Sequence, residues 1–465
     1  MNKSIVPTAA VTPEFLAQLA QRFGSRLDLG ESTRTRFGSD ESHHTPMPPD
    51  AVVTVKSTQD VVDIVTLCDA FSVPIIPYGT GTGLEGSVIA VRGGVAINFQ
   101  EMNEIIQVNP QDLDVVVQPG VTRIQLNRAL KEYGLFFPVD PGANASIGGM
   151  TSTRASGTNA VRYGTMKENV MAMEVVLADG RVIRTGSRSR KSAAGYDLTH
   201  LFTGAEGTLG VITEITLKLH GITEAISAAV CTFETIDDAV QTVIETIQMG
   251  IPIARMELVD EVQMDAINRY SKTNYQIKPT LFLEFHGSQS SVEEQAESVE
   301  TLAQDNGGSG FSWTTNTEQR NELWQARHNA GYASKALRPN GHIWATDVCV
   351  PISRLAECIS LTRRDLKESN LIAPIVGHVG EGNFHLAFVV DYDDKEELTR
   401  AQATHERMVK RALEMGGTCT GEHGIGIGKQ DFLRAEHGIA VDVMRQIKHS
   451  LDPKGLMNPG KIFDL

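Results

Sequence analysis

The sequence predicts an α+β protein of two to three domains, and three observations carry this. The chain has 465 residues, 41% of them hydrophobic, enough for more than one core at roughly 150 residues per domain. Its first half sets short β-branched runs and amphipathic helices around two loops dense in glycine, serine and threonine. Its second half spaces strands with longer helices, and residues 372–376 and 386–390 flank a Gly/Asn turn as a β-hairpin.

In chain order, Thr12 and Pro13 open a short amphipathic helix carrying Phe15, Leu16, Leu19 and Phe23, and a polar, proline-bearing lead-in follows, so residues 1–47 stand apart. "AVVTVKSTQDVVDIVTLCDAFSVPIIPYG" then reads as strand, helix capped near Ser57, and strand. After a glycine-rich segment come the short strands of "GGVAINF" and "DVVVQPG", a helix over 122–133, and the alternating strand of "GTLGVITEITLKL". This closes a first domain at 48–220. Strands such as "AAVCTFE" and "LFLEF", with helices around 236–247 and 292–303, mark an α+β domain with an antiparallel sheet at 221–415. A glycine-rich C-terminal segment, 416–465, completes the chain.

The formal charge of -15 argues against general nucleic-acid binding, and an anionic substrate would need a locally positive pocket. Five cysteines without a C-x-x-C pair suggest neither a zinc knuckle nor a disulfide framework. The N-terminus lacks a signal-peptide core, and no stretch approaches the roughly 20 apolar residues of a membrane span. A cytoplasmic location is expected, with peripheral contact at the inner face of the membrane left open.

"PYGTGTGLEGSV" places Gly79, Gly81, Gly83 and Gly86 directly after an apolar strand, interleaved with Thr80, Thr82 and Ser87. Backbone amides can converge on a phosphate there. Gly81 to Gly86 matches G-x-G-x-x-G, but a dinucleotide fingerprint should open a helix and "SVIAVRGGVAINF" follows instead. "GGMTSTRASGTNAVRYGTM" at 148–166 is a second such loop, and two phosphate-cradling loops suit a ligand with a pyrophosphate. Gly428 and Lys429 fail as a Walker loop because Gln430 stands where Ser or Thr must hold magnesium.

"GHVGEGNFH" holds the other candidate chemistry. With Gly380 to Asn383 as the loop, His378 lies opposite His385, close enough for both rings to reach one ion at about 2.0–2.1 Å. Ordinary hairpin histidines are the alternative, and a third ligand is needed. "TCTGEHGIGIGK" offers Glu422 beside His423.

The ordered succession "PIIPYGTGTGLEGSV", "VQPGV", "DPGANASIGGMTSTRASGTNAVRYGTM", "GAEGTLGVIT", "GHVGEGNFH", "GEHGIG" and "DPKGLMNPGKIF" resembles the FAD-linked D-2-hydroxyacid dehydrogenases of the vanillyl-alcohol oxidase type, from about Pro48 to the C-terminus. Within that family it looks most like the cytochrome-type D-lactate dehydrogenases and the glycolate oxidase FAD subunit. The resemblance implies a two-subdomain FAD-binding domain with an α+β cap domain over the substrate. It implies that Pro77, Tyr78, Gly79, Thr80, Gly81, Thr82, Gly83, Leu84, Gly86 and Ser87 bind FAD, together with Pro141, Gly148, Gly149, Thr153, Gly157, Asn159 and Tyr163. Glu206, Gly210, Ile212 and Asn458 would complete that pocket. Histidyl attachment of FAD in the first loop is excluded because no histidine occurs between His44 and His200, so dissociable FAD is expected.

The resemblance further implies that His378, His385 and Glu422 ligate one divalent metal, zinc or manganese, with His423 as the base. Hydride would pass from substrate C2 to flavin N5. Arg327, in "NELWQARHNAGYASKALRPNGHIWATDVCVPIS", would grip the substrate carboxylate, and Asn383 could reach substrate or flavin. The D-2-hydroxyglutarate branch has a lysine just before the D-x-x-x-P strand, whereas Ala345 and Thr346 precede Asp347 here. D-lactate to pyruvate is therefore the expected reaction, with glycolate or D-2-hydroxyglutarate oxidation on the same machinery as the alternative. A metal-dependent hydrolase leaves the glycine-rich loops without a role, and only turnover separates the enzyme from a flavin-binding protein. The electron acceptor could be a quinone, a cytochrome or an electron-transfer flavoprotein, and a homodimer is compatible.

Overall fold

The computed structural model describes residues 11–464 except residue 339, without the side chains of residues 326 and 328. The start of the N-terminus read above for a targeting signal lies outside the described residues. The chain divides into two compact units, one of 1–155, 165–221 and 422–465, the other of 156–164 and 222–421. The second boundary thus falls at 421/422 instead of 415/416, and residues 156–164 leave the first unit for the second.

In the first unit, Thr12 caps α1 (Pro13–Phe23) by accepting from the Phe15 amide, and Phe15, Leu19 and Phe23 are buried. Strands β1 (Leu27–Asp28), β2 (Ala51–Thr54), β3 (Ile75–Tyr78) and β4 (Val95–Asn98) form a sheet in the order β1-β2-β4-β3. The last three pair in parallel, which requires a crossover. Helix α2 (Thr58–Phe71), capped by Ser57, supplies it and buries Val61, Ile64, Val65 and Cys68. A second sheet is antiparallel: β5 (Ile105–Asn109), β6 (Asp114–Val117), β7 (Val170–Val176), β8 (Val182–Arg184) and β9 (Val211–Lys218), in the order β5-β6-β9-β7-β8. Its core takes in Val117, Met150, Val175 and Ile215. The glycine-rich loop emerges from the end of β3, facing the short helix α3 (Ile147–Thr153), which Ser146 caps.

The second unit is built on one antiparallel sheet of β10 (Ala225–Thr232), β11 (Ile253–Val259), β12 (Thr280–Gly287), β13 (Ser309–Thr314), β14 (His342–Ala345), β15 (Val348–Cys349), β16 (Ile375–His378) and β17 (Asn383–Val390). The order is β13-β10-β12-β11-β16-β17-β14, with β15 also on β17. Helices α4 (Glu261–Ser271) and α5 (Thr317–His328) carry Met264, Ile267 and Trp324 into a core with Val259 and Phe282. Among the described residues no helix is long and apolar enough to cross a membrane.

Candidate active site

In the first unit, the loop after β3, helix α3 and the turn before β9 surround a narrow cleft. Of the residues expected to bind the cofactor, Pro77, Tyr78, Gly79, Ser87, Gly148, Gly149, Thr153, Glu206, Ile212 and Asn458 line it, joined by Phe99, Pro119, Ser146, Ser152 and Gly207. The close approach of loop and helix explains part of the glycine content. A Cβ at Gly79 would lie 2.2 Å from Ser146 Oγ, and one at Gly148 2.6 Å from Pro119 Cβ. Gly81 and Gly86 have φ of +72° and +75°, the left-handed region that side chains disfavour. Thr80 Oγ1 accepts from the Ser146 amide at 3.3 Å, tying the loop to the helix. Gly210 instead serves packing, since a Cβ there would meet Val175 at 2.6 Å.

Other residues of this group hold the walls of the cleft. The Tyr78 ring packs 4.4 Å from Phe37, and its hydroxyl lies within bonding reach of the Arg36 and Ser39 carbonyls. Glu206, buried, accepts from Ser87 Oγ at 2.8 Å and from the Ile425 and Gly426 amides at 2.7 and 2.9 Å. Burial pushes its carboxyl above the ordinary value despite these bonds. Asn458 donates to the Ser87 and Glu206 carbonyls at 2.8 and 2.7 Å, so the C-terminal segment braces both lips. Lys429, rejected above as a phosphate lysine, is fully buried and pairs with Glu85 at 3.0 Å. Burial alone would raise the Glu85 carboxyl, but Lys429, His44 and His423 hold it below its usual range. His423 is 10% exposed and belongs to this same buried charge cluster.

In the second unit the hairpin histidines share a face, with ring centroids 5.3 Å apart. Their register differs from the expected one: His385 lies opposite Val376, not His378. The turn begins one residue early, over Val379–Glu381, and closes at Gly382 with φ of +81°. The two imidazoles are therefore diagonal neighbours, a spacing that side chains of this length still span. Both rings are oriented through Nδ1. His385 Nδ1 is 3.0 Å from the Thr346 carbonyl, and His378 Nδ1 is 2.6 Å from Glu257 Oε1. Nε2 is then the nitrogen each can offer a metal, the usual arrangement for a ligating histidine.

Glu257 was not anticipated from sequence. It is fully buried on β11, where its Cα is the register partner of His378, and its second oxygen accepts from Arg327 Nη2 at 2.5 Å. Burial would raise its carboxyl, yet His378 and Arg327 hold it below the ordinary glutamate value. The available signal was a lone carboxylate in the apolar strand "IARMELV", since such a group must find partners. Arg327 is 12% exposed, not a surface residue, and its buried Nε makes no hydrogen bond among the described residues. Asn383 donates to Asp347 Oδ1 and the Val348 carbonyl at 2.7 and 2.8 Å, which fixes the turn. Asn159 and Tyr163, expected at the cofactor, engage their own unit: Asn159 Oδ1 accepts from Arg255 at 2.8 Å, and the Tyr163 hydroxyl is 2.8 Å from His286 Nδ1. Gly157 lies in the same segment.

Residues 49–186 match the FAD binding domain and 222–462 the C-terminal domain of FAD linked oxidases. The chain belongs to the FAD-linked oxidase family. It is an FAD-dependent oxidoreductase of the D-2-hydroxyacid dehydrogenase group, with the vanillyl-alcohol oxidase type of fold. It is 52% identical over 443 residues to a probable mitochondrial D-lactate dehydrogenase of Danio rerio, covering 94% of this chain and 89% of the relative. It is 45% identical to the mitochondrial D-lactate dehydrogenase [cytochrome] of Arabidopsis thaliana, covering 97% and 80%. Among solved structures, p-cresol methylhydroxylase with substrate bound superposes with a TM-score of 0.82 at 20% identity, covering 99% of both chains. That likeness speaks to the fold alone.

Proposed function

We propose that the chain oxidises D-lactate to pyruvate, with dissociable FAD in the cleft of the first unit and one divalent metal, zinc or manganese, on His378, His385 and Glu422. Bound FAD supplies the two-electron acceptor and the metal a Lewis acid for the substrate oxygens. The observation that carries the reading is the group Arg327, Glu257 and His378, in which a guanidinium and a candidate metal ligand share one buried carboxylate. Arg327 orients the substrate carboxylate through its remaining donors. Glu422 follows Gly421 by one peptide bond, and Gly421 packs so tightly on Asn383 that a Cβ would lie 2.4 Å from its Nδ2. That packing of Gly421 on the hairpin supports Glu422 as the third ligand. His423, one residue on, takes the hydroxyl proton, the role of general base that imidazole most often fills.

Two observations favour a monocarboxylate. Both relatives described above bear D-lactate dehydrogenase names, and Ala345 and Thr346, just before Asp347 where the dicarboxylate branch carries a lysine, offer no cation for a second carboxylate. The name of the Arabidopsis relative supports a cytochrome as the electron acceptor. Steady-state rates with a dye acceptor on D-lactate, L-lactate, glycolate and D-2-hydroxyglutarate test the assignment. The expected result is the highest kcat/KM on D-lactate; efficient turnover of D-2-hydroxyglutarate with negligible turnover of D-lactate would overturn it.

A further inference from the structure

We propose that Glu257 is a positioning residue that couples the substrate-binding arginine to the metal-binding histidine, so that each site senses the other's side chain. The inference rests on the function proposed above. Glu257 stands on β11, hydrogen-bonded between β12 and β16 in the interior of the sheet, so its backbone is held on both sides. Its two carboxylate oxygens divide their work, Oε1 taking His378 Nδ1 at 2.6 Å and Oε2 taking Arg327 Nη2 at 2.5 Å. With the side chain fully buried, no water competes for either oxygen, and each bond is charge-assisted. A rotation of Glu257 that improves one bond lengthens or breaks the other. Arg327, which contributes no ligand to the metal in the proposed set, therefore acts on the metal through Glu257 and His378.

The test measures zinc affinity of the FAD-loaded protein by competition with a chromophoric chelator, in wild type, Arg327→Gln, Glu257→Gln and the double variant. A glutamine offers one acceptor oxygen in place of two, so Glu257→Gln should weaken zinc binding roughly 10–100-fold, the scale for partners that orient a ligand. Arg327→Gln alone should change zinc affinity by about threefold or more, and the change should vanish in the Glu257→Gln background, a non-additivity that independent sites do not produce. The KM for D-lactate should rise in both single variants. If Arg327→Gln leaves zinc affinity unchanged, or if Glu257→Gln binds zinc as the wild type does, the coupling is refuted while the metal site stands. Wild type that takes up no zinc or manganese would overturn the metal reading and the coupling with it. Should Glu257→Gln not accumulate as folded flavoprotein, the effect of Arg327→Gln on zinc affinity decides alone.

Discussion

Gly79 offers a sharp probe of how the loop after β3 makes the cleft. In Gly79→Ala the new Cβ would sit 2.2 Å from Ser146 Oγ, while the next nearest atom, Ser146 Cβ, is at an ordinary 3.4 Å. One oxygen is the obstacle. Gly79 is not among the residues of positive φ, so backbone strain adds nothing. Forcing an atom into such a contact costs roughly 1–3 kcal/mol. If the loop yields by moving off α3, FAD affinity should fall on the order of 5- to 150-fold at 1.4 kcal/mol per decade. Ser146→Gly removes the oxygen, and glycine at a helix N-cap costs only a few tenths of a kcal/mol. The double variant should recover most of the lost affinity. The assay is recovery of flavin fluorescence quenching on titrating apoprotein with FAD, with thermal unfolding as a fold control. Unchanged FAD affinity in Gly79→Ala, or no recovery in the double variant, would refute the argument that loop and helix contact shapes the cleft.

Two further outcomes are expected. Burial pushes Asp260 up to about 6 from 3.8; the folded protein then binds the extra proton between these values, so stability should fall as pH rises from about 4 to about 6, by roughly 3 kcal/mol at 1.36 per unit. Asp260→Asn keeps an acceptor for the Gln263 and Ile375 amides and should flatten that part of the Tm against pH curve; an unaltered slope contradicts this. His423→Asn should slow reduction of the flavin by D-lactate about 10²–10⁴-fold with FAD content and metal content retained, as read by stopped-flow absorbance and elemental analysis, and near-normal reduction would remove His423 from the role of base.

Much of this was legible because the signals are local. Four glycines with threonines after an apolar strand announce a loop that must approach something closely, and Gly79 and Gly81 show what it approaches: Ser146 and the Tyr78 ring. The hairpin was equally plain from the apolar runs on either side of its Gly/Asn turn. Its register was not, because a turn starting at Val379 and one starting at Gly380 satisfy the same pattern, and the choice is made by Gly382 at positive φ and by Asn383 bonding to Asp347 and Val348 on the neighbouring strand. Long-range pairings left no local trace. Glu257 meets His378 across 121 positions, and Lys429 meets Glu85 from the opposite end of the chain. Residues 156–164 read as part of a phosphate loop, yet Arg255 and His286 draw Asn159 and Tyr163 into the second unit.

The central claim, metal-dependent oxidation of D-lactate by bound FAD, is met most directly by an anaerobic spectrum. The purified protein is mixed with D-lactate before chelation, after chelation, and after zinc or manganese is restored. The account predicts a flavin band that D-lactate bleaches, that persists after chelation, and that bleaches again once metal returns. A flavin band that D-lactate leaves untouched in metal-replete protein, or bleaches equally well after the metal is gone, would contradict it.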